Sequence, residues 1–151
     1  MNKAIADIDL DGTNEIIFTD YLQGSPEKWP GDVYVLNGAT GALKYNYTTT
    51  NNSAEGAVSL ANVDSDDYME IIVPSYYGVY VFDYDPSANK LKQKWNNSDG
   101  RIYGATVVYD IDRDNEYELV YTTSDFDCAA GKNCVNQINY DQRNGRLLWI
   151  Y

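Results

Sequence analysis

The stretch Asp7-Ile8-Asp9-Leu10-Asp11-Gly12-Thr13-Asn14-Glu15-Ile16-Ile17 recurs twice more in the chain without a gap. The second copy is Asn62-Val63-Asp64-Ser65-Asp66-Asp67-Tyr68-Met69-Glu70-Ile71-Ile72. The third is Asp110-Ile111-Asp112-Arg113-Asp114-Asn115-Glu116-Tyr117-Glu118-Leu119-Val120. Their starts lie 55 and 48 residues apart. Each copy follows a short run rich in small residues and leads into an apolar run. Self-similarity at such a period is the mark of a repeat architecture.

Working outward, a second apolar run follows each copy: 33–36, 79–82 and 135–140. Turn-forming residues come next, at Asn37 to Gly41, Asp85 to Asn89 and Asp141 to Gly145. A last run closes each unit, from Leu43 to Tyr47, Leu91 to Trp95 and Leu147 to Tyr151. Val, Ile, Tyr and Thr favour strands, whereas Gly, Asn, Asp and Pro favour turns. No segment carries a sustained 3.6-residue apolar stripe. The pattern predicts an all-β chain of three four-stranded antiparallel units, approximately 3–56, 57–104 and 105–151. Four-stranded antiparallel units at this period are propeller blades. The alternative is a generic β-sandwich, which three gapless copies of an eleven-residue pattern disfavour. The short first strand, with its Ala or Gly residues, suits the crowded axis. The fourth, with Trp95 and Trp149, suits the wider rim.

Positions 1, 3, 5 and 9 of every copy carry oxygen-bearing side chains. They are Asp7, Asp9, Asp11 and Glu15, then Asn62, Asp64, Asp66 and Glu70, then Asp110, Asp112, Asp114 and Glu118. Like charges a few ångströms apart repel, so such clustering calls for a cation. Calcium takes six to eight hard oxygen ligands from carboxylates, carbonyls and water. Position 7 (Thr13, Tyr68, Glu116) is expected to offer a backbone carbonyl. Position 6 (Gly12, Asp67, Asn115) is expected to turn sharply, with Asp and Asn the non-glycine residues that best tolerate positive φ. Glu stands at position 9 rather than 12, and strands rather than helices flank the loop, so this is no EF-hand. Solvated acidic turns are the rival reading. Thirteen of the 23 acidic residues lie in these loops, and three calcium ions would move the net charge from −12 to about −6. The first loop is the best match. The second, with Asn62 in place of an acid and no glycine, is expected to bind more weakly.

Asp7-x-Asp9-x-Asp11-Gly12-x-x-Glu15 followed by an apolar strand resembles the calcium loop of FG-GAP (VCBS) repeats, the blades of integrin-type propellers. The resemblance covers essentially the whole chain as three blades. It implies up to three Ca²⁺ ions held at positions 1, 3, 5, 7 and 9. The implied ligands are Asp7, Asp9, Asp11, Thr13, Glu15, Asn62, Asp64, Asp66, Tyr68, Glu70, Asp110, Asp112, Asp114, Glu116 and Glu118. Asp67 and Asn115 depart from the family's glycine. The hairpins around Asn37 and Asp141 look like the outer hairpins of quinoprotein-like propellers, which are architectural. Similar acidic blades occur in polysaccharide lyases and propeller lectins, so fold analogy does not assign function.

Closed propellers need four to eight blades. Three leave two open faces that want neighbours. The chain therefore reads as a piece of a longer protein, or as a protomer that self-associates to close a ring. The net charge of −12 opposes nucleic-acid or anionic-membrane partners. Histidine is absent, which excludes His-based triads and His-ligated zinc. No apolar run is long enough to span a membrane, and the Met1-Asn2-Lys3 start shows no signal-peptide h-region. Cys128 and Cys134 are expected to pinch a short loop with a disulfide, contributing about 2 kcal/mol. With the sequons at Asn46, Asn51 and Asn96, these features point to an extracellular or cell-surface setting.

The expected function is non-catalytic: a calcium-stabilised segment for adhesion or for binding a protein or glycan ligand. The 21–31 connection and the 124–133 loop are the candidate contact surfaces. The rivals are a glycan-binding lectin using the 15 tyrosines, and a fragment of a lyase or quinoprotein-like enzyme. Lys and Arg look scattered, with no base beside a metal.

Overall fold

The computed structural model describes residues 3–21, 31–49, 54, 56–64, 66–76, 78–97, 102, 104–115 and 117–121. Among them there is no helix, and the fold is all-β. The first repeat forms a four-stranded antiparallel sheet from β1 (Lys3–Ala6), β2 (Glu15–Tyr21), β3 (Gly31–Asn37) and β4 (Leu43–Thr49), in that order. The second repeat forms another from β5 (Ser59–Ala61), β6 (Glu70–Ser75), β7 (Gly78–Asp85) and β8 (Lys90–Asn97). Of the third repeat, β9 (Val107–Tyr109) and β10 (Glu118–Val120) pair antiparallel. The described sheets do not close a ring. The sequence-expected third and fourth strands of the last repeat, the two cysteines, and nearly all of the 21–31 and 124–133 contact loops lie outside the described residues.

Each acidic stretch joins the first strand of a sheet to the second. Ala6 pairs with Glu15 and Ala61 with Glu70, so the loop starts where the ladder ends. The hairpins that follow the third strands lie at the same end of each sheet as the acidic loop and use the expected turn chemistry. Asn37 Oδ1 accepts the N–H groups of Ala39 and Thr40, and Gly41 has φ 72°. Asp85 Oδ1 likewise accepts Ser87 and Ala88, and Asn89 has φ 49°. Such side-chain caps substitute for a backbone turn bond, and Gly and Asn tolerate the left-handed region. Gly38 has a steric reason as well. It donates its N–H to Asn14 O at 2.9 Å, and a Cβ there would lie 2.3 Å from that oxygen.

Period-2 alternation assigns the sheet faces. Ile17, Val33, Val35 and Tyr45 of the first sheet pack with Ile71, Val73, Tyr80 and Phe82 of the second. The opposite face of the second sheet sends Ile72, Val79 and Val81 against Ile102, Leu119 and Tyr121. The sheets thus stack in series, and the middle one is covered on both sides. Strand β6 is buried at every position, while β3 alternates buried and half-buried. A strand covered on two faces is apolar throughout, and one covered on a single face alternates.

Candidate metal centres

The three stretches fold into loops with one shared internal brace. The position-9 glutamate turns back over its loop and accepts the backbone N–H of position 2. Glu15 Oε2 takes Ile8 N at 3.0 Å, Glu70 Oε2 takes Val63 N at 2.7 Å, and Glu118 Oε2 takes Ile111 N at 2.5 Å. All three glutamates are buried. In the first two, the other oxygen, Oε1, meets a lysine ammonium.

In the first and third loops, position 1 gathers the turn. Asp7 accepts the N–H groups of Asp11 (3.1 Å) and Gly12 (2.9 Å). Asp110 does the same for Asp114 (3.1 Å) and Asn115 (3.0 Å). This winding needs positive φ at two places. Position 6 is one, as expected, with Gly12 at 86° and Asn115 at 67°. Position 4 is the other, with Leu10 at 58° and Arg113 at 64°, and no sequence signal marked it. The second loop differs. Asp67 is not in the left-handed region, contrary to expectation. The reason lies at position 1, where an amide offers one acceptor oxygen instead of a carboxylate's two. Asn62 Nδ2 donates to the Asp66 carbonyl, and Asp66 N–H turns to Asp64 Oδ1 at 2.8 Å. Position 7 donates in both complete cases: Thr13 N to Asp11 Oδ1 and Tyr68 N to Asp66 Oδ1, each at 2.8 Å.

These windings bring carboxylates together. Asp7, Asp9 and Glu15 form one group, and Asp110, Asp112 and Glu118 another. Asp64, Asp66, Glu70 and Asp83 form the third, with all chosen oxygens of each group within 4.8 Å of one another. Such all-oxygen groups can hold a hard cation. Asp11 and Asp114 stand outside their groups. Glu116 lies outside the described residues. Asp83, on β7, was not predicted: it sits two strands away in sequence and reaches the loop only through pairing. Several loop oxygens are buried without a hydrogen-bond partner, namely Asp9 Oδ1, Asn62 Oδ1 and Asp83 Oδ1. Buried polar atoms normally find partners, so these orphans fit a group that accepts further oxygen ligands.

Two lysines, also unpredicted, enter the loops. Lys44 Nζ lies 2.7 Å from Asp9 Oδ2, 2.6 Å from Asp11 Oδ2 and 2.9 Å from Glu15 Oε1. Lys94 Nζ contacts Asp64 and lies 3.1 Å from Glu70 Oε1 and 3.9 Å from Asp83 Oδ2. One device aims both. Val35 pairs with Tyr45 and Leu36 with Leu43, which leaves Lys44 extra. Val81 pairs with Trp95 and Phe82 with Gln93, which leaves Lys94 extra. A β-bulge adds one residue and re-aims its side chain.

The electrostatics separate the two loops. Burial works against the Lys44 ammonium, but the hydrogen bonds it donates to Asp11, Asp9 and Glu15 outweigh it and hold the amine above its usual range. The Lys44 hydrogen bond in turn pulls Asp11 down. Burial raises Glu15, against the pull of Lys44. In the second loop burial dominates. It pulls Lys94 down and pushes Glu70 up to about 7, with Asp83 and Asp66 adding to the rise and Val63 N–H opposing it. The Lys94–Glu70 contact opposes both shifts. Burial also raises Glu118, with three neighbouring aspartates adding to it.

Comparison with protein-family models, with the curated proteins and with the solved structures finds no match.

Proposed function

We propose that the chain is a run of calcium-binding propeller blades from a secreted or cell-surface protein, non-catalytic and serving adhesion or ligand binding. The observation that carries the reading is the recurrence, at one place in three consecutive repeats, of an oxygen cluster built on a buried glutamate. Calcium fits the donor set, which is all carboxylate and amide oxygen. Its charge would offset carboxylates that otherwise repel across less than 5 Å. The role of the ion is structural: it locks the loop that joins first and second strands, and so fixes the sheet that presents the connecting loops. Further blades or copies of this chain would cover the outer face of the first sheet.

A thermal melt in excess calcium against the same melt in chelator, with elemental analysis of the protein, tests the reading. A calcium-dependent rise of several degrees with bound metal is expected, because an ion that binds only the folded chain stabilises it. No shift and no bound metal overturn it.

A further inference from the structure

We infer that Lys44 and Lys94 are internal competitors for the metal in the first and second loops, so that the second fills before the first. This rests on the calcium reading and reverses the ranking that the acidic residues alone suggest.

Three observations carry it. Each ammonium stands within about 3 Å of oxygens that would ligate an ion: Asp9 and Glu15 for Lys44, Glu70 and Asp64 for Lys94. The Asp9 side chain is only 4 % exposed, and its second oxygen is buried without a partner. The placement is built, since both lysines are the extra residue of a bulge at matching points of two sheets. Matching is fixed by the second strands, because Ile16 faces Leu36 as Ile71 faces Phe82.

An ammonium and a divalent cation cannot share one cluster of three or four oxygens at these distances. Metal entry to the first two loops therefore requires the lysine to swing out to solvent. That displacement weakens binding at both. Lys44 holds more close carboxylate contacts than Lys94, so the first loop fills after the second.

The test uses the full chain, with calcium as the probe. Calcium binding is measured by equilibrium dialysis for the wild type, Lys44→Met and Lys94→Met. Each methionine variant should gain about tenfold or more in affinity at one site, and the gain should be larger for Lys44→Met. If a methionine variant does not fold, acetylation of the wild-type lysines by an activated ester, followed by peptide mass spectrometry, decides. Calcium at saturating concentration should raise labelling of Lys44 and Lys94 several-fold relative to Lys92, which is exposed. Equal affinities in all three proteins, with labelling indifferent to calcium, overturn the inference and leave the calcium reading standing. Absence of calcium binding in every variant overturns both.

Discussion

Ile16 and Ile71 occupy the same place in two copies of one repeat, yet their surroundings differ. Ile71 is 1 % exposed, pressed between the first and second sheets, whereas Ile16 is half-buried on the uncovered face of the first sheet. Phe18 and Tyr34, cross-strand partners on that same uncovered face, stack on each other at 5.3 Å instead. A single sheet of this kind cannot cover both its faces, so cover comes from its neighbours in the stack. The comparison predicts where mutations will be felt. Ile71→Ala should cost about 2–5 kcal/mol by urea denaturation, through lost transfer energy and the cavity left behind. Ile16→Ala should cost about 1 kcal/mol. If the two costs are equal, another surface covers the first sheet in solution, and mass in solution would then show a multimer.

The buried glutamates allow the same contrast between the first loop and the third. Ile8, whose N–H Glu15 accepts, is fully buried, whereas Ile111 is 38 % exposed. Glu15→Ala leaves a buried donor unpaired and removes one of three carboxylates from Lys44. A cost of about 3 kcal/mol is expected. Glu118→Ala should cost about 1 kcal/mol, since water can reach the freed N–H. Thermal melts in chelator give both values without any contribution from metal.

Gly38→Ala tests a difference in hairpin geometry. The new methyl group would meet Asn14 O at 2.3 Å, and the Gly38–Asn14 bond would have to break. A loss of about 2 kcal/mol is expected for forced overlap. The second sheet has no such constraint. Its third and fourth strands run two residues further before turning, since the cap is Asp85 where the first sheet's register would place it at Asp83. Tyr84→Ala, at the matching place, should cost less than Gly38→Ala in the same denaturation series.

That two-residue extension also explains what the sequence hid. The loops were legible because their donors sit at fixed offsets within eleven residues, as were the strand order and the capped turns. The short first strands were read from their small residues, and the structure places them at Lys3–Ala6 and Ser59–Ala61. The lysines were not legible. Counting three residues on from the positive-φ turn residue leads from Gly41 to Lys44, but from Asn89 to Lys92, which points to solvent. Lys94 takes the equivalent place only because the longer hairpin moves the bulge. Asp83 was hidden in the same way. Sequence spacing reports contacts within a loop, and contacts across strands depend on register.

The smallest expected effect concerns the seam between the two complete sheets. Tyr45 is buried, with its hydroxyl 2.5 Å from Asp9 Oδ2 and 3.0 Å from Asn89 Oδ1 in the next sheet's hairpin. Tyr47, two residues on, reaches Gln93 Oε1 at 3.2 Å. Both rings also pack across the seam, Tyr45 against Tyr84 at 5.4 Å and Tyr47 against Phe82 at 4.6 Å. Substitution by Phe keeps the ring in each case and removes only the hydroxyl. A bond to a carboxylate is worth about 1.5 kcal/mol or more, and a neutral one about 1 kcal/mol or less. Tyr45→Phe should therefore cost more than Tyr47→Phe by urea denaturation. The gap should narrow in saturating calcium, where the ion takes up the Asp9 charge in place of the phenol. A gap that stays the same with and without calcium would mean that Asp9 bonds to the tyrosine and not to the ion, and would take Asp9 out of the ligand set.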